Sequence, residues 1–385
     1  MGTAIPVDCP GETSVVSVAL QFVEDLNKPP CEQTPCEQNP CEQTLRLGST
    51  FEGDVRDELC QPRAERMRRH VPGDGLLARQ DRDAMITVIG EAMVKLTPAP
   101  DSSLMQVSPT GSAFTTAISA ARLGYPTALM ARLSRDSLGQ FLRIHAEING
   151  LDVSASPEAD EPTMIAVVSA DPDADRTDSL YFRDTASWQW SAAELGWIPA
   201  STAVLNLDLL DCCMLPGSTW ILRAAARQRQ RGAVVCLNVT AKPAVMGSPT
   251  RGQLLLDRPV KAADLVTASF EDIAWLYPGR GAEAVARLWL AKGPELVVIT
   301  CGADGLVAVR KSGIALYRAT GLQPASVSES FTGALLGGLH DLSDAGTSIE
   351  ALSIAELASI LDTASATASR SGTRHLDLAT ASDLR

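Results

Sequence analysis

From Met85 onward the chain repeats one pattern: a short run of residues apolar on both faces, then a longer stretch with apolar side chains at helical spacing. The runs are Ile86–Val94 (ITVIGEAMV), Thr127–Ala131 (TALMA), Ala203–Leu207 (AVLNL), Gly232–Leu237 (GAVVCL), Asp264–Ser269 (DLVTAS) and Glu295–Thr300 (ELVVIT). Between them, helices are predicted over Ser112–Gly124, Asp136–Asn149, Thr219–Gln230 and Glu283–Lys292. The first shows Phe114, Ala117, Ile118 and Ala121 on one face and stops at Gly124 and Pro126. A strand without a polar face cannot border water, so it belongs in a parallel sheet covered by helices on both sides. The expectation is therefore a layered α/β domain, and such sheets bind ligands at the carboxyl ends of their strands.

Two parts break the alternation. Met164–Ala170 (MIAVVSA) and Ser179–Asp184 (SLYFRD) read as a hairpin across the acidic turn Asp171–Asp178, suited to a lid over a site at the sheet edge or to a dimer contact. Residues 1–84 hold five of the nine cysteines and a direct repeat, CEQTPCEQNPCEQT, with no helical or strand period. Cys31, Cys36 and Cys41 could form a metal or redox cluster, but zinc sites favour cysteine pairs two to four residues apart. A low-complexity, disordered extension is the expected state. A natural start at Met85, directly on the first strand, is a further expectation.

Composition narrows the function. The formal charge is −13 over 385 residues, which argues against nucleic-acid binding, since that needs clustered Lys and Arg. No apolar run reaches the length of a membrane span, and the apolar patch Val15–Val23 has no basic region before it. A cytoplasmic protein is expected.

Several stretches carry a family likeness: VIGEAMVKLTP, GSAFTTAISAARLGYPTALMARLSRDSLGQFL, EPTMIAVVSA, TASWQW, FEDIAWLYPG, VVITCGADG and SFTGALLGGL. Through them Met85 to the C-terminus resembles the ribokinase/PfkB carbohydrate kinases, most nearly the fructokinase-like branch. The resemblance implies a ribokinase-like three-layer α/β fold with a mostly parallel central sheet and a small β lid, spanning 85–385. It also implies ATP and Mg²⁺ as cofactors, a sugar as acceptor, and a possible homodimer through the lid.

In that family a glycine-rich helix start offers backbone N–H groups to the transferring phosphoryl, and an aspartate inside the helix takes the acceptor's proton. The pattern is Asp-Thr-x-Gly-Ala-Gly-Asp before Ser/Ala-Phe. This chain has Gln323, Pro324, Ala325, Ser326, Val327, Ser328 and Glu329 before Ser330 and Phe331. Glu329 stands for the catalytic aspartate, and Ser326 and Ser328 for the glycine region. Val327 is β-branched and resists the backbone angles of a glycine nest.

The departures recur elsewhere. Lys95 replaces the aspartate that reaches sugar hydroxyls, Gly111 is kept, and Thr115 replaces an asparagine. Asp208-Leu209 replaces a Gly-Ser pair, and Lys242 an arginine, keeping charge without the planar fork. Thr300, Gly302 and Gly305 match the nucleotide-side turn, although a glycine turn between strands reads the same way. Ser269 and Asp272 fall near phosphate and Mg²⁺ in the family, and Asp272 equally suits a helix first turn.

Other residues have plain readings. His145 fits a surface or half-buried helix position. Trp188, Trp190 and Tyr181 could stack on a sugar or pack the hairpin. Cys212, Cys213, Cys236 and Cys301 suit buried free thiols. The resulting expectation is a PfkB-type protein impaired in sugar phosphorylation, with a binding or regulatory role. The alternative is an active kinase of altered substrate, with Glu329 as base and Lys95 or Lys242 on an acidic sugar.

Overall fold

The computed structural model of the chain describes residues 84–98, 104–168, 179–318 and 328–371. Cys31, Cys36 and Cys41, the extension up to residue 83, the turn Asp171–Asp178 and Ser326 lie outside them. The described elements run, in order, β1 (Met85–Ile89), β2 (Met93–Pro98), β3 (Met105–Thr110), α1 (Ser112–Arg122), β4 (Thr127–Met130), β5 (Leu133–Ser134) and α2 (Ser137–Ile148). Then come β6 (Glu158–Ala159), β7 (Met164–Val167), β8 (Ser179–Tyr181), β9 (Thr202–Asp208), α3 (Leu209–Cys213), α4 (Gly217–Gln230), β10 (Val234–Val239), α5 (Pro243–Met246) and α6 (Pro249–Ala262). The chain continues through β11 (Leu265–Ser269), α7 (Phe270–Leu276), α8 (Ala282–Leu290), β12 (Leu296–Thr300), β13 (Leu306–Arg310), β14 (Ala315–Arg318), α9 (Ser328–Asp344) and α10 (Ile354–Ser371).

Eight strands form the main sheet in the order β14-β13-β12-β11-β10-β9-β1-β4. Six of them, from β12 to β4, pair in parallel, and β13 and β14 add an antiparallel edge. Strand periodicity sorts the two faces. Leu205, Leu207, Val235, Leu237, Val297 and Ile299 join one buried cluster with Ile221 of α4, Val260 of α6 and Trp289 of α8. Ile86, Val88, Val204, Cys236 and Val298 join the other with Phe114 of α1, Phe331 of α9 and Leu361 of α10. The expectation of a sheet covered on both sides holds because neither face has a polar row to offer water.

One expected strand does not stay whole. Ile86–Val94 divides at Gly90: β1 stays in the main sheet, and β2 enters a second sheet ordered β3-β2-β7-β8. A Cβ built on Gly90 would lie 2.4 Å from the Ala113 Cβ and 2.8 Å from that of Asp208. The absent side chain thus lets α1 and the end of β9 close on the chain where it leaves the sheet. The expected hairpin is present as β7 and β8, antiparallel to each other, and β2 pairs with β7 in parallel and with β3 in antiparallel fashion. Among the described residues no helix is long and apolar enough to cross a membrane.

Candidate functional site

The parallel strands deliver polar residues to one end of the main sheet. β9 ends on Asp208, β10 runs on to Thr240 and Lys242, β11 ends on Ser269 before Asp272, and β12 ends on Thr300. α1 starts beside them at Gly111, and Glu329 lies in the first turn of α9.

Gly111 is the N-cap of α1, with φ 124, and a Cβ there would stand 2.5 Å from the Glu91 carbonyl oxygen. Only glycine satisfies both conditions. A glycine cap has no side chain for the first N–H groups, and Glu91 supplies it from a distance: Ser112 N–H donates to Glu91 Oε1 at 2.8 Å. Gly111→Ala is expected to lower stability by about 2 kcal/mol or more through strain and loss of this cap, read as a shift in the urea midpoint. Thr115 turns inward on its own helix, its hydroxyl donating to the Gly111 carbonyl at 2.7 Å.

Glu91 leads to a feature that sequence reasoning missed. Glu91, Asp208 and Asp211 are all buried, and Glu91 Oε2, Asp208 Oδ2 and Asp211 Oδ2 have no hydrogen-bond partner. The remaining oxygens are engaged: Leu210 N–H donates to Asp208 Oδ1 at 3.0 Å, and Trp190 Nε1–H to Asp211 Oδ1 at 3.0 Å. Burial pushes the Glu91 carboxyl well above the usual carboxylate range, and the charges of Asp208 and Asp211 push it further. Burial and Asp208 do the same to Asp211. Asp208 is also raised by burial, but the Leu210 N–H, the Ser112 hydroxyl, Glu91 and the Lys242 charge all favour its anion. The three carboxyls act on one another, so they take up and release protons as a linked group. The available signal was positional: Asn206 and Asp208 interrupt the apolar side of β9 at its carboxyl end.

Lys242 sits at the N-cap of α5, partly buried, where its charge acts on both Asp208 and Glu329. Glu329 is raised above its ordinary value by burial, with Lys242 opposing and Asp208 and Asp272 adding to the rise. Asp272 has both oxygens in use. Oδ1 accepts from Ala241 N–H at 2.7 Å, while Oδ2 accepts from Ser269 N–H at 3.2 Å and from the Ser269 hydroxyl. Ser269 returns the contact to Asp272 N–H, completing a capping box on α7. This accounts for Asp272 as a helix-start residue. Among the described residues no three His, Cys, Asp or Glu are grouped to hold a metal ion.

Thr300, Gly302 and Gly305 form the turn between β12 and β13. Cys301 N–H donates to the Gly305 carbonyl at 2.7 Å, and Gly302 and Gly305 have φ 55 and 100. Among the described residues, a Cβ on Gly302 would meet no atom within 4 Å. Lys95 lies in the second sheet, opposite Ser108 of β3 and Ala166 of β7. Ser328 begins α9.

The aromatic residues divide. Trp190 is buried against Asp211, and Trp188 is buried with its Nε1–H on the Phe182 carbonyl at 2.6 Å, whereas Tyr181 is 48% exposed. Packing thus uses both tryptophans. His145 lies half-buried between Phe114 and Phe141, and burial lowers its pKa. Cys212 and Cys236 are buried free thiols, with Cys213 and Cys301 partly so.

Comparison with known proteins gives a consistent result. The model of the pfkB family carbohydrate kinases matches residues 83–374. A fructokinase from Rhizobium leguminosarum bv. trifolii is 26% identical over 263 residues, covering 66% of this chain and 79% of that protein. The aminoimidazole riboside kinase of Salmonella typhimurium is 26% identical over 236 residues, 59% of this chain and 71% of the relative. Among solved structures, the fructokinase of Vibrio cholerae O395 in its fructose-, ADP- and calcium-bound form matches with a TM-score of 0.68 at 20% identity. That match covers 78% of this chain and 98% of the other.

Proposed function

The chain belongs to the pfkB family of carbohydrate kinases, and from that premise we propose that it has lost, or nearly lost, sugar phosphorylation and acts by binding, in a regulatory role. The observation that carries this reading is the charge around Lys242. In the family the attacking hydroxyl and the phosphoryl group meet where Glu329 lies. Here the Lys242 charge acts on three buried carboxyls, those of Asp208, Glu329 and Asp272, where the family pattern has glycines and a single aspartate. An entering phosphoryl group would face carboxylates instead of a glycine-lined cradle. Each lost oxyanion-type donor is worth about 3 kcal/mol in the transition state.

The residues that remain can still bind. By their place in the family pattern, the turn at Thr300, Gly302 and Gly305 would take the nucleotide, and Gly111 and Lys242 the sugar. Mg·ATP, when bound, would supply the phosphoryl group. Glu329 would have to take the acceptor proton, and its extra methylene displaces the carboxylate by about 1 Å, a shift that can reduce rate on the order of 10²-fold.

One observation favours the alternative, an active kinase with altered substrate. Burial raises the Glu329 carboxyl, and a base works best when its pKa approaches the working pH. A coupled assay of ADP release over a panel of sugars and acidic sugars separates the two. The expected result is no sugar-dependent rate above a Glu329→Gln control. A rate in the wild type that Glu329→Gln abolishes establishes the alternative.

A further inference from the structure

We propose that the chain has a second ligand site at the amino-terminal ends of its parallel strands, a cavity between the C-termini of α4 and α9 that takes a small organic cation such as a diamine. The inference goes beyond the reading of lost transfer and does not depend on it.

The cavity measures about 450 Å³, within the range of small-molecule pockets. Its floor is the start of three neighbouring strands: Val234 opens β10, Asp264 precedes β11 and Glu295 precedes β12. It therefore lies at the opposite end of the main sheet from Asp208, Ser269 and Thr300. One wall is the end of α4, with Arg229 and Gly232, and the other is the end of α9, with Ser343, Gly346 and Thr347. α9 carries Glu329 in its first turn, so a single helix of 17 residues, about 25 Å long, is common to the two sites.

Both walls are built in the same way. Gly232 and Gly346 have φ 95 and 70, and each lets its helix close in a Schellman turn. Ala233 N–H donates to the Gln228 carbonyl at 3.1 Å, and Gly232 N–H to that of Arg229 at 3.0 Å. Thr347 N–H donates to the Leu342 carbonyl, and Gly346 N–H to that of Ser343, both at 2.9 Å. Two helices thus direct the negative ends of their dipoles at one space. The loop that follows α9 is fixed by Arg310 of β13, which is 9% exposed and donates to the carbonyls of Ile349, Glu350 and Leu352. This buried guanidinium is spent on backbone. Glu350 itself lines the cavity, and its carboxylate makes no ion pair among the described residues.

The remaining side chains decide the sign of the ligand. Arg229 is the lining cation, and its guanidinium already sits on Asp264 Oδ1 at 2.6 Å, while Asp264 Oδ2 accepts Val235 N–H at 2.9 Å. That pair is closed. Glu295 has Oε1 on Lys311 Nζ at 2.6 Å, which leaves Oε2 for a ligand. An entering molecule therefore meets the carboxylates of Glu295 and Glu350, two helix C-termini, and the hydroxyls of Ser343, Thr347 and Ser348. These are acceptors that suit the three donors of an ammonium group, and they offer nothing to a phosphate.

The test is calorimetric titration of the full chain with 1,4-diaminobutane, with 1,4-butanediol, which has the same length without charge, and with inorganic phosphate. The wild type is expected to bind one diamine per chain and to give no saturable heat with the diol or with phosphate. Glu350→Gln, which keeps the backbone carbonyl that Arg310 holds, should weaken diamine binding about fivefold, and Glu295→Gln about as much. Glu147→Gln, an exposed position on α2 outside the cavity, should change nothing. Ser343→Trp, which fills the space from α9, should abolish binding in a protein whose circular dichroism matches that of wild type. Diamine binding that Glu350→Gln and Glu295→Gln both leave unchanged is the general attraction of a chain of net charge −13, and it overturns the proposal. So does phosphate binding in place of the diamine, or a diamine titration without saturable heat. Sugar phosphorylation, present or absent, alters none of these outcomes.

Discussion

Trp190→Ala is expected to lower stability by about 4 kcal/mol, with the thermal midpoint falling by roughly 10 °C for a domain of this size. Trp190 is 1% exposed, and its ring packs against the backbone where α4 begins. A Cβ on Gly217 would come within 3.0 Å of the Trp190 Cβ and 2.6 Å of the Trp188 carbonyl oxygen, so glycine there is what lets α4 approach. Truncation removes the largest side chain of this junction and also leaves Asp211 Oδ1 without its indole N–H. Both effects act on the segment that returns from the second sheet to the main one. Trp190→Phe keeps most of the volume and loses only the hydrogen bond, and should cost about 1–2 kcal/mol. Trp197, 55% exposed, is the internal control. Its alanine variant should stay within about 0.5 kcal/mol of wild type.

The second large effect is a dependence on pH. Glu91, Asp208 and Asp211 each bind a proton more tightly in the folded chain than in the unfolded one. The stability they contribute is therefore fully present below the ordinary carboxylate range and is lost as pH rises through their raised folded values. This is the reverse of an exposed ion pair, where a carboxylate such as Asp257, lowered to about 2 by Lys261 and Lys292, stabilises at neutral pH and fails in acid. Glu91→Gln removes one of the three raised carboxyls. In urea unfolding at a series of pH values, the wild type should lose up to about 1.4 kcal/mol per pH unit more than the variant across that window. On the alkaline side the variant should be at least as stable as wild type. Parallel curves for the two proteins would mean that the three carboxyls are not proton-linked to folding.

Much of the fold was legible because burial on both faces leaves a mark in sequence. Thr202–Asp208, Val234–Val239, Leu265–Ser269 and Leu296–Thr300 were all foreseen to within about two residues, since each is a run too apolar for an edge. The second sheet was only half legible. Met164–Val167 and Ser179–Tyr181 stood out, but Met105–Thr110 carries Ser108 and Pro109 and has a partly exposed pattern, so no alternation marks it. The break at Gly90 was hidden because it arises from the approach of Ala113 and Asp208, which are distant in sequence.

The candidate site divided along the same line. Lys242, Glu329, Asp272 and the Thr300–Gly305 turn were named from their place in a family pattern, and in the fold they lie at the carboxyl end of the parallel strands. Lys95 was named in the same way and lies in the second sheet. The role of Asp272 in a capping box needed the Ser269 hydroxyl and the Ala241 N–H to be seen together. Glu91 and Asp211 escaped notice because a carboxylate in sequence reads as surface. Only the packing of β1, β9 and α3 shows that three of them share one buried space.

The central claim is that a pfkB-family fold here carries a transfer site closed to phosphoryl chemistry. Its most direct test is a reaction with the full chain at a concentration equal to that of Mg·ATP, incubated with a mixture of sugars and read by mass spectrometry for sugar phosphates. Even one turnover per molecule would be visible under those conditions. The account predicts no sugar phosphate beyond that formed with Glu329→Gln. Stoichiometric sugar phosphate in the wild type, absent from the variant, would contradict it and make Glu329 the working base.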